Sequence, residues 1–226
     1  MIKIKKIVTC FLNPGFYKAY MSGVAPLFEL YPLLNQINQI KTIIDIGSNT
    51  VRMVVYDAPA RLPVPIFNER AICALGKGLD ITGHLDPVGK ELAFEALLRF
   101  CGLANEMKVG QFRILATAAV RDAKDGPAFA KEVEKRFGYT VKILSGKEEA
   151  HLGARGILGG QPNADGLFGD IGGGSLDLVL LNTGKFGDSD TLPLGHLRIT
   201  EAAEGSLKKA QKIIDNNLST VKWLSK

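Results

Sequence analysis

Residues 170–182 read DIGGGSLDLVLLN, and residues 45–57, offset by 125 positions, read DIGSNTVRMVVYD. Asp, Ile and Gly coincide, Thr50 matches Ser175, and the apolar alternation Val51, Met53, Val55 matches Leu176, Leu178, Leu180. Alternation of period two marks a half-buried strand, so each copy reads as a strand ending in an acid, a small-residue turn and a second strand. Three consecutive glycines are costly in ordered structure. They mark a tight turn or a close backbone approach.

Such a turn suits one kind of ligand. Without Cβ atoms the backbone approaches a phosphate closely and aims successive N–H groups at its oxygens, with Ser or Thr as a further donor. The adjacent carboxylate repels a bare phosphate, and the pairing makes sense when a hard divalent cation such as Mg²⁺ lies between them. One glycine-rich hairpin is weak support for a site, whereas two matched copies facing across a cleft are strong support.

The segment between the copies reads as α/β. A third strand is predicted around 65–74, and a helix from Asp86 as N-cap and Pro87 at its first position to about Met107. A strand at 111–117, a helix at 126–137 and a strand at 139–145 follow, and Ser145 caps a helix that begins GKEEAHLGARGIL. Three hairpinned strands followed by alternating helices and strands form the pattern of a ribonuclease-H-like unit. The second copy is followed by only 56 residues after Asp170. They supply a predicted strand near 191–194 and an amphipathic helix carrying Leu207, Ala210, Ile214, Leu218 and Val221.

Composition bounds the partners. The net charge of +5 resides in the ends: residues 1–40 carry four lysines against Glu29, and residues 200–226 carry five against three acids. The intervening body is neutral, with no basic stripe of the kind a nucleic-acid footprint needs. Three widely spaced cysteines, Cys10, Cys73 and Cys101, form neither a disulfide framework nor a zinc motif, and a reducing cytoplasm is expected. No run reaches the roughly 18 apolar residues of a spanning helix, so no membrane partner is expected.

The segments DIGSNT (45–50), ATAAVRDA (116–123), LSGKEEAHLG (144–153) and DIGGGSLDL (170–178), in that order and spacing, closely resemble the exopolyphosphatase and guanosine pentaphosphate phosphohydrolase (Ppx/GppA) family. The resemblance implies an α/β, ribonuclease-H-like fold of the actin, Hsp70 and sugar-kinase type, with a complete first domain (41–165) and a partial second domain (166–226). It leaves residues 1–40 as a leader outside the match and implies a chain truncated relative to its relatives. Carried over by motif, Glu149 is the general base. Ser48, Asn49, Thr50, Arg121, Gly172, Gly173, Gly174 and Ser175 bind phosphate, while Asp45, Asp170 and Asp177 hold Mg²⁺ or Mn²⁺. The implied partners are polyphosphate or guanosine penta- or tetraphosphate, with a homodimer as a way to cover the incomplete half.

Plainer readings stand beside these. Glu148 and Glu149 in a first helical turn favour the positive dipole end without any catalytic role. Arg121 has Asp122 and Asp125 as surface partners. His151 stands where the family commonly carries Arg. Three functions remain open on the sequence: a phosphoanhydride hydrolase, a binding remnant of the same family, and an actin-like or sugar-kinase ATPase.

Overall fold

The structure, a computed structural model, describes residues 40–57 and 62–225. The expected leader lies outside the described residues, apart from Ile40. Strands β1 (Lys41–Ile46), β2 (Thr50–Tyr56) and β3 (Pro65–Ile72) form an antiparallel meander. After helices α1 (Leu79–Thr82) and α2 (Pro87–Glu106), strand β4 (Gln111–Ala116) returns parallel to β1. Helices α3 (Ala118–Asp122) and α4 (Gly126–Phe137) lead to β5 (Val141–Ile143), parallel to β4. The sheet order is β3-β2-β1-β4-β5.

One face of this sheet is the main core. Ile44 and Ile46, Val51, Met53 and Val55, and Ile114 and Ala116 point to the same side. There they pack in one cluster with Leu97 and Phe100 of α2 and Phe129 and Val133 of α4. Period-two alternation sends Arg52, Arg70, Arg113 and Lys142 to the other face, where all are exposed. Helix α2 starts as expected: Asp86 accepts a 2.7 Å hydrogen bond from the Gly89 N–H, and Pro87 occupies a position that needs no donor.

Helix α5 (Gly146–Gly160) then crosses to a second, three-stranded antiparallel sheet of β6 (Gly166–Ile171), β7 (Leu176–Asn182) and β8 (Lys185–Leu192). Its start is a capping box, in which Ser145 and Glu148 satisfy each other's backbone N–H groups. β7 is buried on both faces. Val179 and Leu181 pack under Ala150 and Ala154 of α5, while Leu178 packs with Leu192, Leu194 and the C-terminal elements. Those elements are α6 (His196–Ala203), α7 (Leu207–Leu218) and a short 3-10 turn at Lys222–Ser225.

Two sequence expectations are corrected. The strand expected at 191–194 is Lys185–Leu192, because Asn182 pairs with Lys185 across the two-residue turn Thr183-Gly184. Both turn residues have positive φ, 49° and 79°, as the favoured tight hairpin turn requires. The terminal helix ends at Leu218, and Val221 lies beyond it in a turn while still joining the same apolar cluster.

Core truncation separates the first sheet's packing from surface effects. Phe100 is 0% exposed and Ile81 is 87% exposed. Phe100→Ala is expected to cost about 3–5 kcal/mol of unfolding free energy. Ile81→Ser should stay within about 0.5 kcal/mol of the parent. Urea titration with unchanged m-values would check both.

Candidate functional site

The two hairpin turns have the same internal bond: Gly47 N–H donates to Thr50 O at 2.9 Å, and Gly172 N–H donates to Ser175 O at 2.9 Å. They also touch each other. A Cβ on Gly174 would overlap Ser48 Oγ and lie 2.9 Å from the Ala118 Cβ, and one on Gly173 would lie 3.3 Å from Asn49 N. None of Gly172, Gly173 and Gly174 has positive φ. The glycine run therefore serves close approach, and the partner it approaches includes the first turn of this same chain. Ser48 and Ser175 are buried at that junction. Among the described residues, the backbone N–H groups of Ser48, Asn49, Gly173 and Gly174 donate to no protein acceptor. Free amides gathered in two adjoining turns favour an anion.

The carboxylates lie in matched register. Asp45 is opposite Arg52 in the first hairpin, and Asp170 is opposite Asp177 in the second, again at an offset of 125. Directly opposed residues share a sheet face, so Asp170 and Asp177 form a like-charge cross-strand pair, which is unfavourable unless something neutralises it. Asp177 is buried and accepts a 2.7 Å hydrogen bond from Thr191 Oγ1. Its pKa is pushed up to about 6, chiefly by burial and then by the negative charge of Glu149, with Asp170 adding to it. Asp45 is likewise pushed up to about 6, by desolvation first and then by Glu149, with Asp170 contributing and Arg52 opposing. Its side chain nonetheless retains solvent exposure. Asp45, Asp170, Asp177 and Glu149 are therefore one electrostatic cluster spanning both sheets and α5.

Among the described residues, no three acidic, His or Cys side chains converge tightly enough to form a cation shell by themselves. The donors are nonetheless of the right chemistry for a hard cation, which takes carboxylate oxygens and completes its shell with water and phosphate.

The adjacent glutamates on α5 have different duties. Glu148 is structural: Lys142 Nζ donates to it at 2.7 Å, and Ser145 N–H at 3.0 Å. Those bonds, the lysine's first, pull its pKa down to about 2. Glu149 turns toward α3 and accepts a 2.7 Å charge-assisted bond from Arg121 Nη1. Arg121 Nε donates to Asp122 at 3.1 Å. Asp125, the other surface partner considered for Arg121, instead binds Lys90 at 3.0 Å.

Several neighbours escaped the sequence reading. Thr50, Arg52, Asn68 and Arg70 line a concavity of about 360 Å³ beside the first turn. Arg52 and Arg70 are directly opposed across β2 and β3, and Arg52 Nε donates to Asn68 at 2.9 Å. Period-two alternation from Asp45 would have placed Arg52 and Arg70 on the site face once register was known. Arg198 binds Asp122 at 2.6 Å and Asp80 at 3.3 Å. No local pattern pointed to it. His151 stacks on Phe186 with ring centroids 4.8 Å apart, and its Nε2 has no hydrogen-bond partner among the described residues.

Two sheets bridged by a helix, each opening on the same acid-bearing hairpin, make an α/β fold that is similar to that of an inorganic polyphosphate/ATP-glucomannokinase from Arthrobacter, at TM-score 0.50 and 16% identity. Within that fold class the chain belongs to the Ppx/GppA phosphatase family, whose sequence model matches residues 54–224. The match includes the Arg121, Glu149 and Asp170 motifs. The chain is 30% identical over 169 residues to exopolyphosphatase 2 of Mycobacterium tuberculosis, covering 70% of this chain and 53% of that protein. Its structure is similar to the crystal structure of an exopolyphosphatase from Cytophaga hutchinsonii, with TM-score 0.67 and 27% identity, covering 72% of this chain and 53% of that one. It is also similar to the Aquifex aeolicus PPX-GPPA enzyme, with TM-score 0.63 and 26% identity, covering 81% and 64%. The chain thus spans about half the length of the curated relatives it matches.

The raised carboxylates give a pH signature. Between the ordinary aspartate value of 3.8 and about 6, the folded protein holds more protons at Asp45 and Asp177 than the unfolded chain does. Their contribution to stability therefore falls as pH rises through that window and is level above it. Asp177→Asn retains an acceptor for Thr191 and is expected to flatten the pH dependence. Urea midpoints at pH 4.5 and 7.0 in metal-free buffer, compared with the parent, read the difference. An unchanged slope would remove Asp177 from the cluster.

Proposed function

We propose that this chain carries the catalytic half of a hydrolase that releases terminal phosphate from inorganic polyphosphate or guanosine pentaphosphate. The observation that carries the reading is the Arg121–Glu149 contact of 2.7 Å in the cluster that also includes Asp45 and Asp177. Family membership and the similarity to exopolyphosphatases support it.

Phosphoryl transfer depends on positioning and charge neutralisation more than on covalent chemistry. The free amides of Ser48, Asn49, Gly173 and Gly174, with the Thr50 and Ser175 hydroxyls, receive the oxygens of the terminal phosphoryl group. Arg121 transfers part of its hydrogen bonding from Glu149 to that group, which frees the carboxylate. Glu149 then accepts a proton from a water molecule as its oxygen attacks phosphorus. The bond to the bridging oxygen breaks, and that oxygen leaves with the shortened chain. Arg52 and Arg70 in the neighbouring concavity receive the next phosphates or the nucleoside diphosphate portion. Asp45, Asp170 and Asp177 would hold a divalent cation, Mg²⁺ or Mn²⁺, whose charge would neutralise phosphoryl oxygens and relieve the repulsion between Asp170 and Asp177.

The test is phosphate release by the 226-residue chain from polyphosphate and from guanosine pentaphosphate, with Mg²⁺ or Mn²⁺ and after EDTA. Glu149→Gln should lower turnover by roughly 10²- to 10⁴-fold, the usual worth of a general base, while substrate affinity stays within a few-fold. EDTA should abolish release reversibly. A folded parent that binds polyphosphate without releasing phosphate would overturn the hydrolase reading in favour of a binding module.

A further inference from the structure

Helix α6 touches both the second turn and the helices of the first sheet near Arg121. At its start, the backbone N–H groups of His196 and Leu197 donate to Gly172 O and Gly173 O, each at 3.0 Å. The approach is close enough that a Cβ on Gly195 would overlap the Gly173 carbonyl. In its middle, Arg198 binds Asp122 and Asp80. At its end, both carboxylate oxygens of Glu201 accept from the Gly78 N–H at 3.2 Å.

The carboxylate of Asp122 is divided between two arginines. Its Oδ1 accepts from Arg121 Nε at 3.1 Å, and its Oδ2 accepts from Arg198 Nη2 at 2.6 Å. The Arg121 guanidinium is then held at two points, through Nε by Asp122 and through Nη1 by Glu149 and the Leu144 carbonyl. Its Nη2 has no acceptor among the described residues. The Arg198 side chain is only 13% exposed, against 32% for Asp122. Arg198 is therefore the better-buried anchor of the pair, and without it Asp122 would be free to turn toward water. An exposed arginine–aspartate pair alone holds geometry poorly, because screening and side-chain entropy offset most of its attraction.

We propose that Arg198 is a positioning residue. Through Asp122 it fixes the Arg121 guanidinium with one N–H free for the substrate phosphate, and it ties that orientation to the seating of α6 on the second turn. This rests on the reading of Arg121 as a phosphate ligand. It adds that the phosphate-binding arginine of the first sheet is held by a residue of the second.

The first measurement is the ¹⁵Nε–¹H NMR signal of Arg121 in the full chain, assigned by its loss in Arg121→Lys. Arg198→Ala is expected to shift this signal and to speed its exchange with solvent about tenfold, the equivalent of one charge-assisted hydrogen bond. Glu201→Ala, which cuts the same helix from Gly78 without touching Asp122, should leave the signal in place. Should Arg198→Ala not fold, Arg198→Met gives the deciding spectrum, because methionine keeps a buried stem of similar length but cannot donate to Asp122.

In turnover, Arg198→Ala should raise KM for polyphosphate about tenfold and change kcat less. An Arg121 signal unaffected by loss of the Arg198 guanidinium would overturn the proposal. So would equal changes from Glu201→Ala, which would reduce Arg198 to a staple between the sheets. A parent without phosphate release would remove the hydrolase reading alone, since the NMR comparison still decides whether Arg198 orients Arg121.

Discussion

The close contact between the Gly173–Gly174 backbone and Ser48 is the constraint on which the site depends. The two turns meet with no space for a Cβ at Gly174. That contact brings two sets of unpaired backbone amides together although they lie 125 residues apart in the chain. A side chain at Gly174 would push the turns apart and separate the amides into two weak, solvated donors. Glycine is therefore required here by sterics between two parts of one chain. The freedom to adopt positive φ, its usual reason for appearing in a turn, plays no part at these positions.

Helix α5 supplies the second constraint. It follows the first sheet in the chain, yet its buried face, Ala150 and Ala154, packs on β7 of the second. Its first turn thus places Glu149 where its charge raises the proton affinity of Asp45 in the first sheet and of Asp177 in the second. The capping box fixes that turn: Glu148 is committed to Ser145 and Lys142, and the next residue, Glu149, is presented to Arg121. Adjacent glutamates receive opposite assignments because successive helix positions lie about 100° apart. The dipole argument treats them alike, yet Glu148 bonds to the cap and Lys142 while Glu149 bonds to Arg121.

Much of this was legible in the sequence because it rests on local periodicity and caps. The repeated hairpin, the Asp86 and Ser145 caps and the helices at 87–106 and 126–137 are all short-range features. What was not legible depends on register or on tertiary contact. The strand at Lys185–Leu192 was displaced because Thr-Gly is a weaker turn signal than Asn-Gly, although the backbone adopts the same geometry. Five-residue α3 is too short for a periodic signal, yet it carries Arg121. Arg198 was invisible for a different reason, since both of its partners, Asp80 and Asp122, lie more than seventy residues away. The triple glycine reads in the sequence as a tight turn or a close approach, and the approach seen is to Ser48 and Ala118. Its protein partner could not be named without the fold.

The duplicated hairpin also explains how one scaffold serves both signs of charge. Reading across three strands at the same register, the first copy presents Asp45, Arg52 and Arg70, and the second presents Asp170, Asp177 and Thr191. The backbones are equivalent, but the middle position changes from arginine to aspartate. The first row gains net positive charge beside its amide turn and favours an anion. The second concentrates negative charge, raises the Asp177 pKa to about 6 and favours a cation or a proton. Because the glycine contact presses the two turns together, these opposite preferences face a common space. Under the proposed function, a phosphate with its counter-cation would satisfy both rows at once, and the difference between the rows rests on two changed positions in one repeated strand set.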